Sequence, residues 1–90
     1  MEKIAIVTGA SRGLGRGIAL TLAKEGGFKV YSTARNGKAL DELSNDASEN
    51  ETGGSVVPYV LDQNDDSAVE QFVSIVIAAL ANAVVHTSAV

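Results

Sequence analysis

The chain predicts an α/β fold of three layers, a partial doubly wound parallel sheet in strand order 3-2-1 with about three helices. Short apolar runs suited to buried strands alternate with segments whose apolar residues recur at helical spacing, the pattern of successive βαβ units. The first run, Ile4-Ala5-Ile6-Val7, passes directly into Thr8-Gly9-Ala10-Ser11-Arg12-Gly13-Leu14-Gly15, a glycine-punctuated turn that opens a helix. Glycines and polar residues cluster between the elements, and every linker is short.

The first strand is Lys3 to Val7. The first helix runs from about Gly13 to Glu25, with Leu14, Ile18 and Leu22 at helical spacing, and stops at Gly26-Gly27, where glycine suits the C-terminal cap. Gly15 or Gly17 is expected to let this helix lie close on the sheet. The second strand is Phe28 to Thr33, with Val30 and Ser32 on one face and Tyr31 and Thr33 on the other. The second helix begins after Asn36, a good N-cap, and carries Ala39, Leu40, Leu43 and Ala47 on one stripe until the polar run Ser48 to Gly54 ends it. The third strand, Ser55 to Leu61, holds the only proline, Pro58, which a sheet tolerates on an edge. Order 3-2-1 puts that strand on an edge. The third helix starts at a capping box, Ser67-Ala68-Val69-Glu70, and Val69, Phe72, Val73, Val76, Ile77 and Leu80 trace its core face. Its crossover runs the other way, so it should cover the opposite sheet face from the first two helices.

Ninety residues allow one small domain, which buries about 60 to 65 per cent of its unfolded surface. With 46% hydrophobic residues the chain is globular, and without cysteine it has neither disulfides nor thiolate metal sites. A reducing, cytoplasmic compartment fits this composition, and Met1-Glu2-Lys3 with only four apolar residues after it forms no signal-peptide core. All seven basic residues lie at or before position 38 with two acidic ones, and nine acidic residues follow, so a segment of +5 precedes one of −9. Cations therefore gather around the glycine turn, whereas the acidic balance and 4% aromatic content give no basis for nucleic-acid binding. Arg16, Lys24, Lys29 and Lys38 read as solvated surface charges. Asp65 and Asp66 read as helix-start charges, not metal ligands.

A strand that ends in such a turn and becomes a helix collects unpaired backbone N–H groups and the positive end of a helix dipole on one spot, and that spot holds phosphate. Gly9 turns the chain off the strand, and Gly13 leaves bare backbone for a diphosphate. Arg35 stands twenty residues after Gly15, where a site for NAD usually has a carboxylate on the ribose 2′-hydroxyl and a site for NADP has a cation for the 2′-phosphate. No carboxylate lies between Glu25 and Asp41. Arg12 and Arg35 can each supply charge-assisted hydrogen bonds to that phosphate, and Ser11 a hydroxyl to the phosphate or ribose.

Thr-Gly-Ala-Ser-Arg-Gly-Leu-Gly, Arg16-Gly17-Ile18-Ala19-Leu20 and Val30-Tyr31-Ser32-Thr33-Ala34-Arg35 resemble the cofactor half of the short-chain dehydrogenases/reductases. The resemblance implies a Rossmann-like fold, carbonyl/alcohol oxidoreduction by hydride transfer, and NADP(H) favoured over NAD(H) where both basic residues are present. It also implies that Leu61-Asp62 brings the Asp62 carboxylate toward the adenine amino group, alongside the plain alternative of a loop carboxylate that caps a turn. The expected cofactor-binding set is Gly9, Ser11, Arg12, Gly13, Leu14, Gly15, Arg35 and Asp62.

That family's chemistry needs a Tyr-x-x-x-Lys pair, an orienting Ser and an Asn-Asn-Ala-Gly segment. Tyr31 is followed four positions later by Arg35 and Tyr59 by Gln63, so no residue here is assigned as catalytic, and no metal site is expected. Residues 1–77 read as the N-terminal part of the NADP-binding domain and 78–90 as a divergent apolar tail, too interrupted by polar residues to span a membrane. On this reading the chain is truncated. Loss of a fourth strand should leave Ile4 to Val7 as an open edge that invites self-association, unless Val84-Val85 folds back as a short substitute. The alternatives to an oxidoreductase's cofactor half are a non-catalytic nucleotide-binding or interaction isoform, and a nonfunctional truncated product.

Overall fold

Every strand of the sheet is parallel, and the order along it is β3-β2-β1-β4. The computed structural model describes residues 2–79 and 83–88. The elements are β1 (Glu2–Thr8), α1 (Gly13–Lys24), β2 (Lys29–Ala34), α2 (Gly37–Ala47), β3 (Ser55–Val60), α3 (Asp66–Ala79) and β4 (Ala83–Ser88). Strands β3-β2-β1 stand in the expected order, with Pro58 on the edge strand opposite Ser32.

Of the two expectations for β1, an open edge or a substitute strand around Val84-Val85, the structure shows the second, as a strand of six residues. β4 lies parallel to β1 with Ile4 opposite Val85 and Ile6 opposite Thr87, so β1 is an interior strand. The uncharged, β-branched run around Val84-Val85 has the residue types that strands favour. Residues 78–90, expected as a tail, thus contain a full strand of the sheet.

Period-2 alternation sorts the strand side chains between two cores. Ala5, Val7, Val30, Ala34 and Val56 face α1 and α2, where Ala19, Ala23, Leu40, Leu43 and Ala47 complete one buried cluster. Ile4, Tyr31 and Leu61 face the other way, against Phe72 and Val76 of α3. The third helix therefore covers the face that the crossover direction requires. Tyr59 stacks obliquely on Phe72 at 5.0 Å between ring centroids, and Tyr31 meets the same ring edge-on at 6.5 Å.

Helical spacing left the inward face of α1 open, and the core face of α3 is narrower than its sequence reading. On α1 the fully covered residues are Gly15, Ala19 and Ala23, while Leu14 is 70% exposed and Ile18 and Leu22 are half-buried. Small side chains at i, i+4 and i+8 bring the helix close to the sheet, so the larger residues one position earlier fall on its flank. Gly17 has open space around it and plays no part in that approach. On α3, Val73 and Ile77 are exposed at 46% and 62%, because one helix touching the sheet along a single line covers only Phe72 and Val76 fully. Leu80 lies outside the described residues.

The α3 cap also sits earlier than expected. Asp65 accepts from the Ala68 amide at 3.2 Å just before the helix begins at Asp66, which puts Ser67 inside the first turn. At the far end of the sheet from the glycine turn, Asn50 organises the α2–β3 connection. Its Nδ2 donates to the carbonyls of Ala47 and Gly54 at 2.7 and 2.8 Å, and its Oδ1 accepts from the amides of Thr52 and Gly53, both at 3.0 Å. Thr52 in turn donates through its hydroxyl to the Ala23 carbonyl at the end of α1. Asn50→Ala leaves these amides and carbonyls without their partner and is expected to cost about 2 kcal/mol, read as a lower urea midpoint at unchanged slope.

Candidate functional site

The turn after β1 presents unclaimed amides. Gly9 leaves the strand at φ +65°, a conformation that favours glycine, and the Ala10 amide then donates to the Thr33 carbonyl at 3.0 Å, which pins the turn to β2. Arg12 is the N-cap of α1 in an extended conformation, and Gly13 follows at φ +61° as the first helical residue. The helical ladder begins only with the Arg16 amide on the Arg12 carbonyl, so the amides of Gly13, Leu14 and Gly15 precede it. Arg12 makes no side-chain cap bond, and the first turn of α1 holds no acidic residue. By contrast, Asn36 caps α2 by accepting from the Ala39 amide at 3.1 Å, and Asp65 caps α3. At α1 the positive end of the dipole is left to whatever anion arrives.

A cleft of about 510 Å³ opens in front of this turn, at the carboxyl ends of β1, β2 and β3. Gly9, Ser11 and Arg12 form one wall, Ala34, Arg35 and Asn36 the next, and Leu61, Asp62, Gln63 and Asn64 the third. Five of the eight expected cofactor residues, Gly9, Ser11, Arg12, Arg35 and Asp62, therefore line one cavity. The other three stand behind it. Gly13 shapes the turn, Leu14 offers its backbone while its side chain points to solvent, and Gly15 fits against Gly9 so closely that a Cβ would collide with the Gly9 carbonyl oxygen and lie 3.0 Å from its carbon.

Neither Arg12 nor Arg35 has a hydrogen-bond or ion-pair partner among the described residues, and both are exposed. Arg16 differs: it pairs with Asp46 across α1 and α2, in an ion pair that stays at the surface. Asp62 accepts from the Asn64 amide at 2.9 Å through Oδ1, so its carboxylate closes a turn as well as lining the cleft. Asn36, Gln63 and Asn64 were not among the expected site residues. The signal for them is positional, since every residue just past the carboxyl end of a parallel strand beside the reversal of strand order borders such a cleft. Among the described residues no three His, Cys, Asp or Glu side chains come together as metal ligands, and no helix is long and apolar enough to cross a membrane.

A glycine turn on a helix N-terminus, at the carboxyl end of the first strand of a sheet whose order reverses beside it, is the arrangement of dinucleotide-binding α/β folds. The family model for short chain dehydrogenase matches residues 3–85. The chain belongs to the short-chain dehydrogenase family. Among curated members of that family, "Dehydrogenase/reductase SDR family member 1" of Mus musculus is 48% identical over 69 residues, covering 76% of this chain and 21% of that protein. The Homo sapiens protein of the same name is 48% identical over 68 residues, covering 74% and 20%. A metagenomic short-chain oxidoreductase crystallised with NADP superposes with a TM-score of 0.79 and 32% identity, over 92% of this chain and 37% of that one. The chain thus spans about a fifth of the length of these curated relatives. Short-chain dehydrogenases bind a nicotinamide dinucleotide, and the cleft, its free amides and its two unpaired arginines suit that ligand.

Proposed function

We propose that these residues form the NADP(H)-binding part of an oxidoreductase that moves a hydride between a nicotinamide ring and a carbonyl or alcohol carbon. The amides from Gly13 to Gly15, with Gly9 making room, hold the diphosphate. Arg12 and Arg35 meet the 2′-phosphate, Ser11 adds a hydroxyl, and Asp62 takes the adenine amino group. The cofactor, when bound, supplies or accepts the hydride. What this chain contributes is binding and orientation. Tyr31 and Tyr59 both pack against Phe72 under α3, away from the cleft, which supports leaving them out of the chemistry. This reading assigns no proton-transfer group within residues 1–77, and the chain of this sequence is expected to show no turnover.

The observation that carries the reading is the pair of unpartnered arginines on two walls of the cleft that also holds the glycine turn. Each can give a charge-assisted bond worth about 1.5 to 3 kcal/mol, whereas NADH offers a hydroxyl in place of the phosphate. The interaction reading loses only the edge of β1 that it invoked, since β4 pairs there and is itself the terminal strand. Thermal unfolding with each nucleotide tests the proposal. NADPH at about a hundred times its dissociation constant should raise the midpoint by roughly 10 °C or more, and NADH at equal concentration by clearly less. No shift with either nucleotide would overturn cofactor binding, and equal shifts would overturn the preference.

A further inference from the structure

We propose that Asn36 is a site of spontaneous deamidation, and that the carboxylate so formed weakens the preference of the cleft for a 2′-phosphorylated dinucleotide. The second half rests on the function proposed above; the first half does not. Asn36 alone among the five asparagines is followed by glycine, so nothing crowds the next amide nitrogen as it approaches the side chain. It is exposed, and it stands on the cleft wall next to Arg35.

Its neighbours in the fold favour the reaction. Gly37 is the first residue of α2, so its amide precedes the helical ladder and lies at the positive end of the helix dipole, which favours loss of its proton. The Ala39 amide donates to Asn36 Oδ1 and draws electron density from Cγ, while Nδ2 has no partner among the described residues. The other described asparagines lack this combination. Asn50 is half-buried with Nδ2 donating to two carbonyls, Asn45 precedes an amide inside the α2 ladder, and the amide after Asn64 is already bonded to the Asp62 carbonyl at 3.0 Å.

In the reaction the Gly37 nitrogen gives up its proton to solvent and attacks Cγ of Asn36. The new C–N bond closes a five-membered imide as Nδ2 takes a proton back from solvent, the Cγ–Nδ2 bond breaks and ammonia leaves. Water then adds to either imide carbonyl and opens the ring to aspartate or isoaspartate at position 36, with no change of oxidation state. Ring closure needs Asn36 to leave its observed ψ of 97° and to release the cap bond, so fraying of the first turn of α2 gates it. An aspartate caps a helix as well as an asparagine and keeps the fold, yet it places a negative charge beside Arg35 and opposite Asp62. Isoaspartate lengthens the backbone by one carbon and loses the cap.

The test is ageing of the purified full chain in mildly alkaline buffer at physiological temperature, followed by peptide mapping in a mass spectrometer. The mass gain of an amide becoming an acid should appear at position 36 before Asn45, Asn50 or Asn64, and Asn36→Ser, which keeps a capping oxygen, should show none there. Aged chain and Asn36→Asp should both show a ratio of NADPH to NADH affinity about tenfold lower than fresh chain. A gain that appears first at another asparagine overturns the site. An unchanged affinity ratio in fully converted chain overturns the consequence. Fresh chain that binds neither nucleotide sinks the cofactor reading, and with it the consequence, while the mass result still decides the site.

Discussion

Gly15→Ala is expected to lower the stability of this chain by about 3 kcal/mol and to abolish detectable dinucleotide binding, whereas Gly17→Ala, two residues on, should do neither. The added Cβ at position 15 runs into the Gly9 carbonyl oxygen, which is backbone and cannot swing aside as a side-chain tip could. Relief requires α1 to lift from the turn, and the same shift pulls the amides of Gly13, Leu14 and Gly15 out of register with the wall formed by Gly9 and Ser11. A chain of ninety residues has about 5 to 13 kcal/mol of stability in all, so the loss is a large part of the whole. Gly17 is exposed on the outer side of the same helix with nothing within 4 Å of its would-be Cβ, and alanine there should add about 0.5 to 1 kcal/mol through helix propensity. Urea unfolding and NADPH titration of the two variants together check the argument. Equal behaviour of the pair would mean that the close approach of α1 to the turn is not what shapes the site.

That contrast also marks where the sequence was legible. The strand-turn-helix junction could be read directly, because the residues that make it are adjacent and each glycine has a local reason to be there. Which glycine meets the sheet could not, since Gly15 and Gly17 are equally bare in sequence and only the rotation of α1 separates them. Leu14, Ile18 and Leu22 established the period of that helix but not its inward face, because helical spacing is the same on every stripe. The readable clue was the smaller one, Gly15, Ala19 and Ala23, since a helix lying close to a sheet needs small residues at the contact. On α3 the error ran the other way. Six apolar positions suggested a broad core face, yet one helix on a twisted sheet covers a narrow line, and Val73 and Ile77 stayed outside it. β4 escaped a firm reading because its run is short, uncharged and unlike the sequence expected there, although the unpaired edge of β1 is the physical reason for it to add. Of the site, Arg12 was legible within the glycine turn and Arg35 as a spacing from it, whereas Asp62 came only with the family resemblance of Leu61-Asp62. Asn36, Gln63 and Asn64 join only because three strands end side by side, which no local pattern expresses.

Arg35→Glu should reverse the nucleotide preference, with NADPH affinity falling about a hundredfold and NADH affinity held or raised. The substitution removes one charge-assisted bond to the 2′-phosphate and sets a like charge in its place on the wall formed with Ala34 and Asn36. It also puts a carboxylate at the spacing from the glycine turn where NAD sites carry one for the ribose 2′-hydroxyl. Folding should be little affected, because Arg35 is exposed and makes no hydrogen bond or ion pair with the described residues. Arg12→Ala gives the internal comparison, as it deletes the second cation without adding a charge and should lower NADPH affinity by about tenfold and leave NADH nearly unchanged. Titration of both variants with both nucleotides at two salt concentrations separates a phosphate contact from general attraction, since the advantage of NADPH over NADH in the parent chain must shrink as salt rises. If Arg35→Glu bound NADPH as the parent does, the cation twenty residues past Gly15 would be a surface charge and the choice of NADP would lose its basis.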